Sequence, residues 1–193
     1  MPQISIRLPA MPLTVTPEQF AAVAAENQDL RLERKATGEL VVSPPTGWES
    51  SARNTQITRY LANWADGFGG LTLESSGGCR LPNGSLYAPD AAWVSEATLA
   101  RARQMLPVPG EYFPLCPDFV VELRSKSDRL LPLQNKMQEY MENGALLGWL
   151  IDPQTGRVDV YRLDHEVEVL GEPEELSGED VLPGFVLQRR RIW

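Results

Sequence analysis

Two carboxylates interrupt segments that otherwise have the composition of buried strands. The stretch 117–128 reads PDFVVELRSKSD, and Glu122 stands inside its apolar part. The stretch 86–94 reads LYAPDAAWV, in which Asp90 is the lone charged residue. A buried carboxylate is unfavourable unless it is paired, protonated or bound to a metal. Because Mg²⁺ binds one or two carboxylates together with waters and phosphate oxygens, two inward-facing carboxylates predict a metal site that acts on a phosphate.

Phosphoryl chemistry also needs a cation near the developing negative charge, and the sequence offers two candidates. Arg124 lies two residues after Glu122, so on a strand both side chains point to the same face. Lys136 lies in LPLQNKMQEYMENG, where a helical wheel places it beside the apolar face, leaning towards Glu122. That face consists of Leu133, Met137, Tyr140 and Met141. An ordinary ion pair between Glu122 and either cation is the alternative interpretation.

Several common types of active site are excluded by residue counts. His165 is the single histidine, and it falls in a predicted hairpin turn. Metalloprotease helices, histidine-rich zinc sites and HNH-type nuclease sites need more histidines. The sequence contains neither a G-x-S-x-G elbow nor the GK[ST] of a phosphate-binding loop. The two cysteines, Cys79 and Cys116, predict reduced and partly buried thiols rather than a disulfide framework.

Length and charge set further bounds. With 193 residues, the chain is predicted to form a single domain over residues 1–193. No apolar run approaches the ~20 residues of a membrane helix, and the first residues lack a signal-peptide pattern, so a cytoplasmic location is expected. A net charge of −8 argues against broad nonspecific binding of nucleic acid. It leaves room for a local basic site or a metal-dependent one.

Hydrophobic periodicity predicts a mixed α/β (α+β) fold. Helices are expected at residues 14–27, 48–67 and 127–144, with a short helix or ordered loop at 96–106 and a loop at 107–112. Strands are expected within 30–45 (two strands), 71–95, 117–125, 145–152, 157–163 and 167–170. The segment 71–95 is predicted to be a hairpin that turns at PNGS and returns as LYAPDAAWV. The chain closes with acidic loops and one short strand. This order indicates a mixed sheet covered by helices.

Six segments in order resemble one known family. They are YAPDAAWVS, PDFVVELRSKSD, LQNKMQEYMENG, LGWLIDP, VDVYR and VLPGF. Together they resemble the Uma-two family of restriction-endonuclease-like proteins, within the PD-(D/E)xK nuclease superfamily. The resemblance extends from roughly the first helix to VLPGF. It implies a restriction-endonuclease-like core, a mixed β-sheet flanked by helices, and hydrolysis of DNA phosphodiester bonds with Mg²⁺, which Mn²⁺ can replace.

The resemblance also assigns site residues by position. Asp90 corresponds to the PD aspartate and Glu122 to the second acid, both as catalytic residues and metal ligands. The lysine of the superfamily pattern falls at Arg124, and the helix lysine Lys136 corresponds to a migrated replacement. Glu49 matches an acidic residue on the first core helix that helps to hold the metal. The loop after Glu122 departs from the usual S-P-S-D, because it reads SKSD and makes Lys126 a rival cation.

Other interpretations remain open from the sequence. The chain is either an active endonuclease or a nuclease-fold module that no longer cuts and serves binding or assembly, in association with mobile elements. A third hypothesis is a toxin- or mobile-element-associated protein whose partner supplies the DNA contacts. Glu49 also suits a solvated first helical turn. Trp93 and Trp149 are predicted to be core residues. A homodimer is expected, because enzymes that cut both strands commonly place two sites near one duplex, and the hairpin at 157–170 is the candidate interface.

Overall fold

The computed structural model describes residues 12–105 and 112–192. Its helices are α1 (Pro17–Glu26), α2 (Trp48–Phe68), α3 (Glu96–Met105) and α4 (Leu130–Glu142), followed by a 3₁₀ turn at Arg189–Arg191. These agree with the predicted helices, although α4 begins three residues later than expected. The predicted loop at 107–112 lies, apart from its last residue, outside the described residues. None of the helices in the described ranges has the length and apolar character to cross a bilayer.

The start of α1 shows how local sequence fixes a helix boundary. The Thr16 hydroxyl accepts a hydrogen bond from the backbone N–H of Gln19, and the Gln19 side chain accepts one from the backbone of Thr16. This is the capping box that the sequence predicts, and Pro17 occupies the first turn. Two of the unpaired N–H groups at the helix start are thereby satisfied.

A six-stranded mixed sheet forms the centre of the fold. Its strands, in chain order, are β3 (Leu71–Glu74), β6 (Ala91–Val94), β7 (Phe119–Leu123), β8 (Leu147–Asp152), β9 (Arg157–Arg162) and β10 (Glu168–Gly171). In space their order is β10-β9-β8-β7-β6-β3. The β7–β8 pair is parallel and the others are antiparallel. A parallel pair needs a crossover connection, and α4 supplies it, which brings Lys136 over the sheet.

Both faces of the central sheet are covered, so β7 is buried throughout. Phe119, Val121 and Leu123 pack with residues of α2 and with the C-terminal segment. Val120, on the opposite face, packs with residues of α4. The alternation predicted for β7 is therefore confirmed. Trp93 and Trp149 are buried as predicted.

A second, four-stranded sheet corrects one prediction. It contains β1 (Arg31–Arg34), β2 (Leu40–Ser43), β4 (Cys79–Arg80) and β5 (Leu86–Tyr87), in the spatial order β2-β1-β5-β4. The single hairpin predicted over 71–95 is wrong, although its outer parts do pair as β3 and β6. The PNGS turn joins β4 to β5, and LYAPDAAWV forms two strands in two sheets. Pro89 has no N–H for a strand ladder, so the chain leaves one sheet there and enters the other.

The C-terminal segment seals the side of the sheet on which α2 lies. Strands β11 (Glu175–Ser177) and β12 (Val186–Gln188) form a separate antiparallel pair, so the predicted last strand has a partner that the sequence did not indicate. Phe185 of VLPGF is buried against Trp149, with their rings stacked at 5.9 Å between centroids. This short motif therefore belongs to the core.

The predicted thiols are both free and buried more deeply than expected. Cys79 has no exposed surface and Cys116 is 7% exposed. Burial raises the pKa of Cys79 to about 12, with Lys136 opposing the shift. The pKa of Cys116 is also raised, mainly by burial. Both groups are therefore thiols at neutral pH, as expected for core residues rather than nucleophiles.

Candidate active site

The two predicted carboxylates lie on neighbouring chain segments. Asp90 immediately precedes β6, which pairs with β7, and Glu122 is the fourth residue of β7. Asp90 Oδ2 accepts a hydrogen bond of 2.8 Å from the backbone N–H of Leu123, the residue after Glu122. Asp90 is 7% exposed and Glu122 is 3% exposed. The strand order thus places both carboxylates side by side at the junction of the two sheets.

Lys136 extends from α4 into this cluster, as the helical wheel predicted. Its Nζ lies 2.7 Å from Glu122 Oε1 and 2.9 Å from Glu33 Oε1. It also lies over the rings of Tyr87 and Tyr140, at 5.1 and 5.8 Å from their centroids. Burial lowers the pKa of Lys136, but the Glu122 and Glu33 carboxylates outweigh burial and raise it. The lysine is therefore a permanent cation rather than a proton acceptor.

The environment of Glu122 works against its ionisation. Burial is the largest influence and raises its pKa, Lys136 opposes this, and the Asp90 and Glu33 carboxylates add to the rise. Tyr140 donates a hydrogen bond of 3.1 Å to the same oxygen, Oε1, that Lys136 contacts. Within the described residues, Oε2 has no hydrogen bond. One oxygen of Glu122 is thus fixed by the protein and the other is left for a ligand.

Three residues of the cluster were not predicted: Arg31, Glu33 and Asn54. Arg31 and Glu33 come from β1 and share one face of it. The Arg31 guanidinium donates to the Ala88 carbonyl at 2.7 Å and lies 3.4 Å from Asp90 Oδ1. Glu33 accepts the backbone N–H of Ala88 at 2.8 Å. In the sequence RLER, Arg31 and Glu33 alternate with Leu32, which indicates that both charged side chains point to one face of the strand. Nothing in the local sequence shows that this face lies opposite Asp90.

Asn54 comes from α2 and is also buried. Its side-chain amide donates a hydrogen bond of 3.0 Å to Asp90 Oδ1. Its position three and seven residues before Ile57 and Leu61 puts it on the buried face of the helix. A polar residue on an apolar helical stripe is a sequence signal that the predictions did not use.

The remaining predicted residues line the same cleft without contacting the carboxylate pair. Arg124 donates to Asp152 Oδ2 at 2.7 Å and to the Asp128 carbonyl at 3.1 Å. Lys126 forms a largely exposed ion pair with Glu49, at 2.8 Å. Within the described part of the chain, neither Glu49 nor Arg124 has a hydrogen bond or ion pair to Asp90 or Glu122. A metal-binding role for Glu49 and a phosphate-binding role for Arg124 remain predictions.

These residues line a cleft of about 1000 Å³. Asp90, Glu122 and Lys136 form part of its lining, and Trp48, 80% exposed, stands at the start of α2 beside it. Loop residues 44–47 and the segment 124–128 also line the cleft, from opposite sheets. The cluster is therefore buried yet faces a space that can admit a substrate.

The oxygen donors of the cluster suit a divalent cation that also keeps water ligands. Among residues 12–105 and 112–192, no group of three or more histidine, cysteine, aspartate and glutamate side chains is arranged as a metal site. Mg²⁺ does not need such a group, because one or two carboxylates suffice when waters and phosphate oxygens complete its shell. Among the described residues, Glu122 Oε2 has no hydrogen bond and Asp90 Oδ2 accepts only the Leu123 N–H, so each of these oxygens can offer a lone pair to the cation. The cluster contains three carboxylates and two cations, so its formal charge is −1, which also suits a cation.

Comparisons with known proteins bear on the fold and on the family. A search of curated proteins finds no match. The fold resembles a solved structure described as "a putative nuclease belonging to DUF820" from Anabaena variabilis ATCC 29413. The TM-score is 0.70 at 19% sequence identity, covering 83% of this chain and 88% of the other. This likeness confirms the predicted nuclease-like mixed fold.

The family match covers most of the sequence. Residues 17–190 match the family Uma2, described as "Putative restriction endonuclease". This range contains both sheets, all four helices and every residue of the cluster. The resemblance seen in the six sequence segments is thereby confirmed, and the chain belongs to the Uma2 family of restriction-endonuclease-like proteins.

Proposed function

We propose that this protein is an endonuclease that hydrolyses DNA phosphodiester bonds with the help of Mg²⁺, for which Mn²⁺ can substitute. The observation that carries the proposal is the buried cluster of Asp90, Glu122 and Lys136 at a cleft of about 1000 Å³. Membership of the Uma2 family and the nuclease-like fold support it at a coarser level. Two carboxylates beside one fixed ammonium group are the side chains that metal-assisted phosphodiester hydrolysis requires.

In this proposal each side chain has a defined task. Asp90 and Glu122 would hold the cation, which would supply Lewis-acid polarisation of the phosphate and favour ionisation of water. The Leu123 N–H and Asn54 fix the Asp90 carboxylate, and Tyr140 fixes Glu122. Lys136, kept protonated by two carboxylates, stabilises the attacking hydroxide and the negative charge of the transition state.

Arg124 is proposed to steady the scissile phosphate from the edge of the cleft. Its guanidinium is anchored by Asp152, which leaves it less mobile than a free surface arginine. Arginine suits this task because its planar donors match phosphate oxygens. The net charge of −8 disfavours broad contact with DNA, which agrees with contacts concentrated in this cleft and aided by the metal.

The test is plasmid cleavage by the wild type beside Glu122→Gln, prepared identically. We expect the wild type to cut supercoiled DNA with Mg²⁺ or Mn²⁺ and not with EDTA, and Glu122→Gln to leave it intact. Glutamine keeps an oxygen for Lys136 and Tyr140, so the fold should survive while the anionic ligand is lost. Glu26→Gln, at the exposed end of α1, is the matched control and should cut normally.

Two other results of the cleavage test would contradict the proposed active site or the proposed activity. Equal cleavage by all three proteins would indicate a contaminant or a different site. Absence of cleavage by the wild type, across supercoiled, linear and single-stranded DNA, would replace the nuclease proposal with a nuclease-fold binding or assembly module. In that case the observation in favour of the binding or assembly module would be that Asp90 already accepts hydrogen bonds from Arg31, Asn54 and Leu123.

We also infer that the protein acts as a cytoplasmic homodimer. Strand β10 lies at one edge of the central sheet. Val167, just before it, is 40% exposed, and Val169, within it, is 53% exposed. An exposed apolar edge strand is a ready site for pairing with a second copy. Light scattering should give twice the 21.5 kDa chain mass, and Val169→Lys should give monomer. Monomeric wild type at all concentrations would refute the dimer.

A further inference from the structure

Asn54 has one half of its side-chain amide satisfied and the other half unsatisfied. The residue is 9% exposed and lines the cleft between α2 and the two sheets. Its Nδ2 donates to Asp90 Oδ1 at 3.0 Å. Its Oδ1 is fully buried and has no hydrogen-bond partner among the described residues. Buried amide oxygens are rarely left in this state, so this one calls for a partner that the protein does not supply.

The orientation of the amide follows from Asp90. The two halves of an asparagine amide are assigned from the hydrogen-bond network. The Asp90 carboxylate accepts hydrogen bonds from Arg31 and from the Leu123 N–H, so a flipped amide would place two acceptor oxygens against each other. Asp90 therefore fixes Nδ2 towards itself and leaves Oδ1 as the free acceptor.

We propose that Asn54 Oδ1 is a third protein ligand of the divalent cation, beside Asp90 and Glu122. This inference rests on the proposed metal-dependent function. Amide oxygens are among the hard ligands that Mg²⁺, Mn²⁺ and Ca²⁺ accept. A cation would also satisfy an atom that no donor within residues 12–105 and 112–192 reaches. Asn54 then takes the place on the first core helix that the family resemblance assigns to Glu49. The Glu49 carboxylate is paired with Lys126 at the edge of the cleft.

Two substitutions at this position should change metal binding in opposite directions. Asn54→Ala removes the oxygen, and we expect the affinity for Mn²⁺ alone, measured by calorimetry without DNA, to fall at least about tenfold. Asn54→Asp keeps an oxygen and adds a charge, so affinity should match or exceed that of the wild type. Without metal, Asn54→Asp brings a carboxylate against Asp90, so its melting temperature should be lowered and then rise more on adding Mn²⁺ than that of the wild type.

Thr55→Ala is the matched control for the Asn54 variants. Thr55 is exposed on the same helix and bonds to the Ser51 carbonyl, so its removal should leave Mn²⁺ affinity unchanged. Equal Mn²⁺ affinity in wild type, Asn54→Ala and Asn54→Asp would overturn the Asn54 proposal while leaving the nuclease proposal intact. Absence of Mn²⁺ binding by the wild type would overturn both. If Asn54→Ala does not fold, the metal-dependent rise in melting temperature of Asn54→Asp decides by itself.

Discussion

Lys136→Met is expected to lower DNA cleavage by on the order of 10²–10³-fold and to destabilise the fold by about 3–5 kcal/mol. Lys136 is the cation that lies between Glu122 and Glu33, at 2.7 and 2.9 Å. Methionine fills a similar volume without the charge, so two buried carboxylates lose their partner. Cleavage assays and urea unfolding measure the two effects separately, and binding of Mn²⁺ should persist.

A second substitution separates the electrostatic effect on stability from the effect on catalysis. In Lys136→Met/Glu33→Gln, an uncharged amide replaces one of the two buried carboxylates that lose their ion pair with Lys136. The stability loss should then be smaller than the sum of the single losses by about 0.5–3 kcal/mol, whereas cleavage should stay low. Recovery of cleavage in the double variant would show that Lys136 acts only through the fold.

Lys126→Met is the matched control for the choice of cation. The Lys126 side chain is 79% exposed and pairs with Glu49, so its removal should leave both stability and cleavage near those of the wild type. Loss of cleavage in Lys126→Met together with normal cleavage in Lys136→Met would transfer the catalytic role to the loop lysine.

Phe185→Ala is expected to destabilise the protein by about 3–5 kcal/mol, through lost burial and the cavity left behind. Phe185 is 3% exposed and stacks on Trp149, with further ring contacts to Phe119 at 6.4 Å and Trp64 at 5.8 Å between centroids. It therefore joins the C-terminal segment to the central sheet and α2. For a chain of this length the melting temperature should fall by roughly 6–20 °C.

Val186→Ala provides the comparison for this effect, since Val186 is the next residue and is 41% exposed. Its loss should change stability by no more than about 0.5 kcal/mol. Similar small effects of both substitutions would mean that the VLPGF segment does not pack on the sheet in solution.

Much of the fold was predictable because the signals are local. The capping box of Thr16 and Gln19, the apolar stripe of α2 and the alternation of β7 each depend on residues within a few positions of one another. The broken strand at Pro89 was missed because apolar composition continues through it, and composition does not reveal a change of sheet. Because Pro89 has no N–H, it was itself the sequence signal for an interruption of the strand at this point.

The candidate site likewise contains residues with a local sequence signal and residues brought in by long-range packing. Local sequence is enough to show that carboxylates at positions 90 and 122 are unfavourable in apolar segments, and that Lys136 borders a buried helical face. It does not show that Glu33, Arg31 and Asn54 meet these residues, or that Arg124 pairs with Asp152 instead of Glu122. Periodicity fixes which way a side chain points from its own element. Which element lies opposite depends on contacts between residues dozens of positions apart, and those follow from the packing of two sheets.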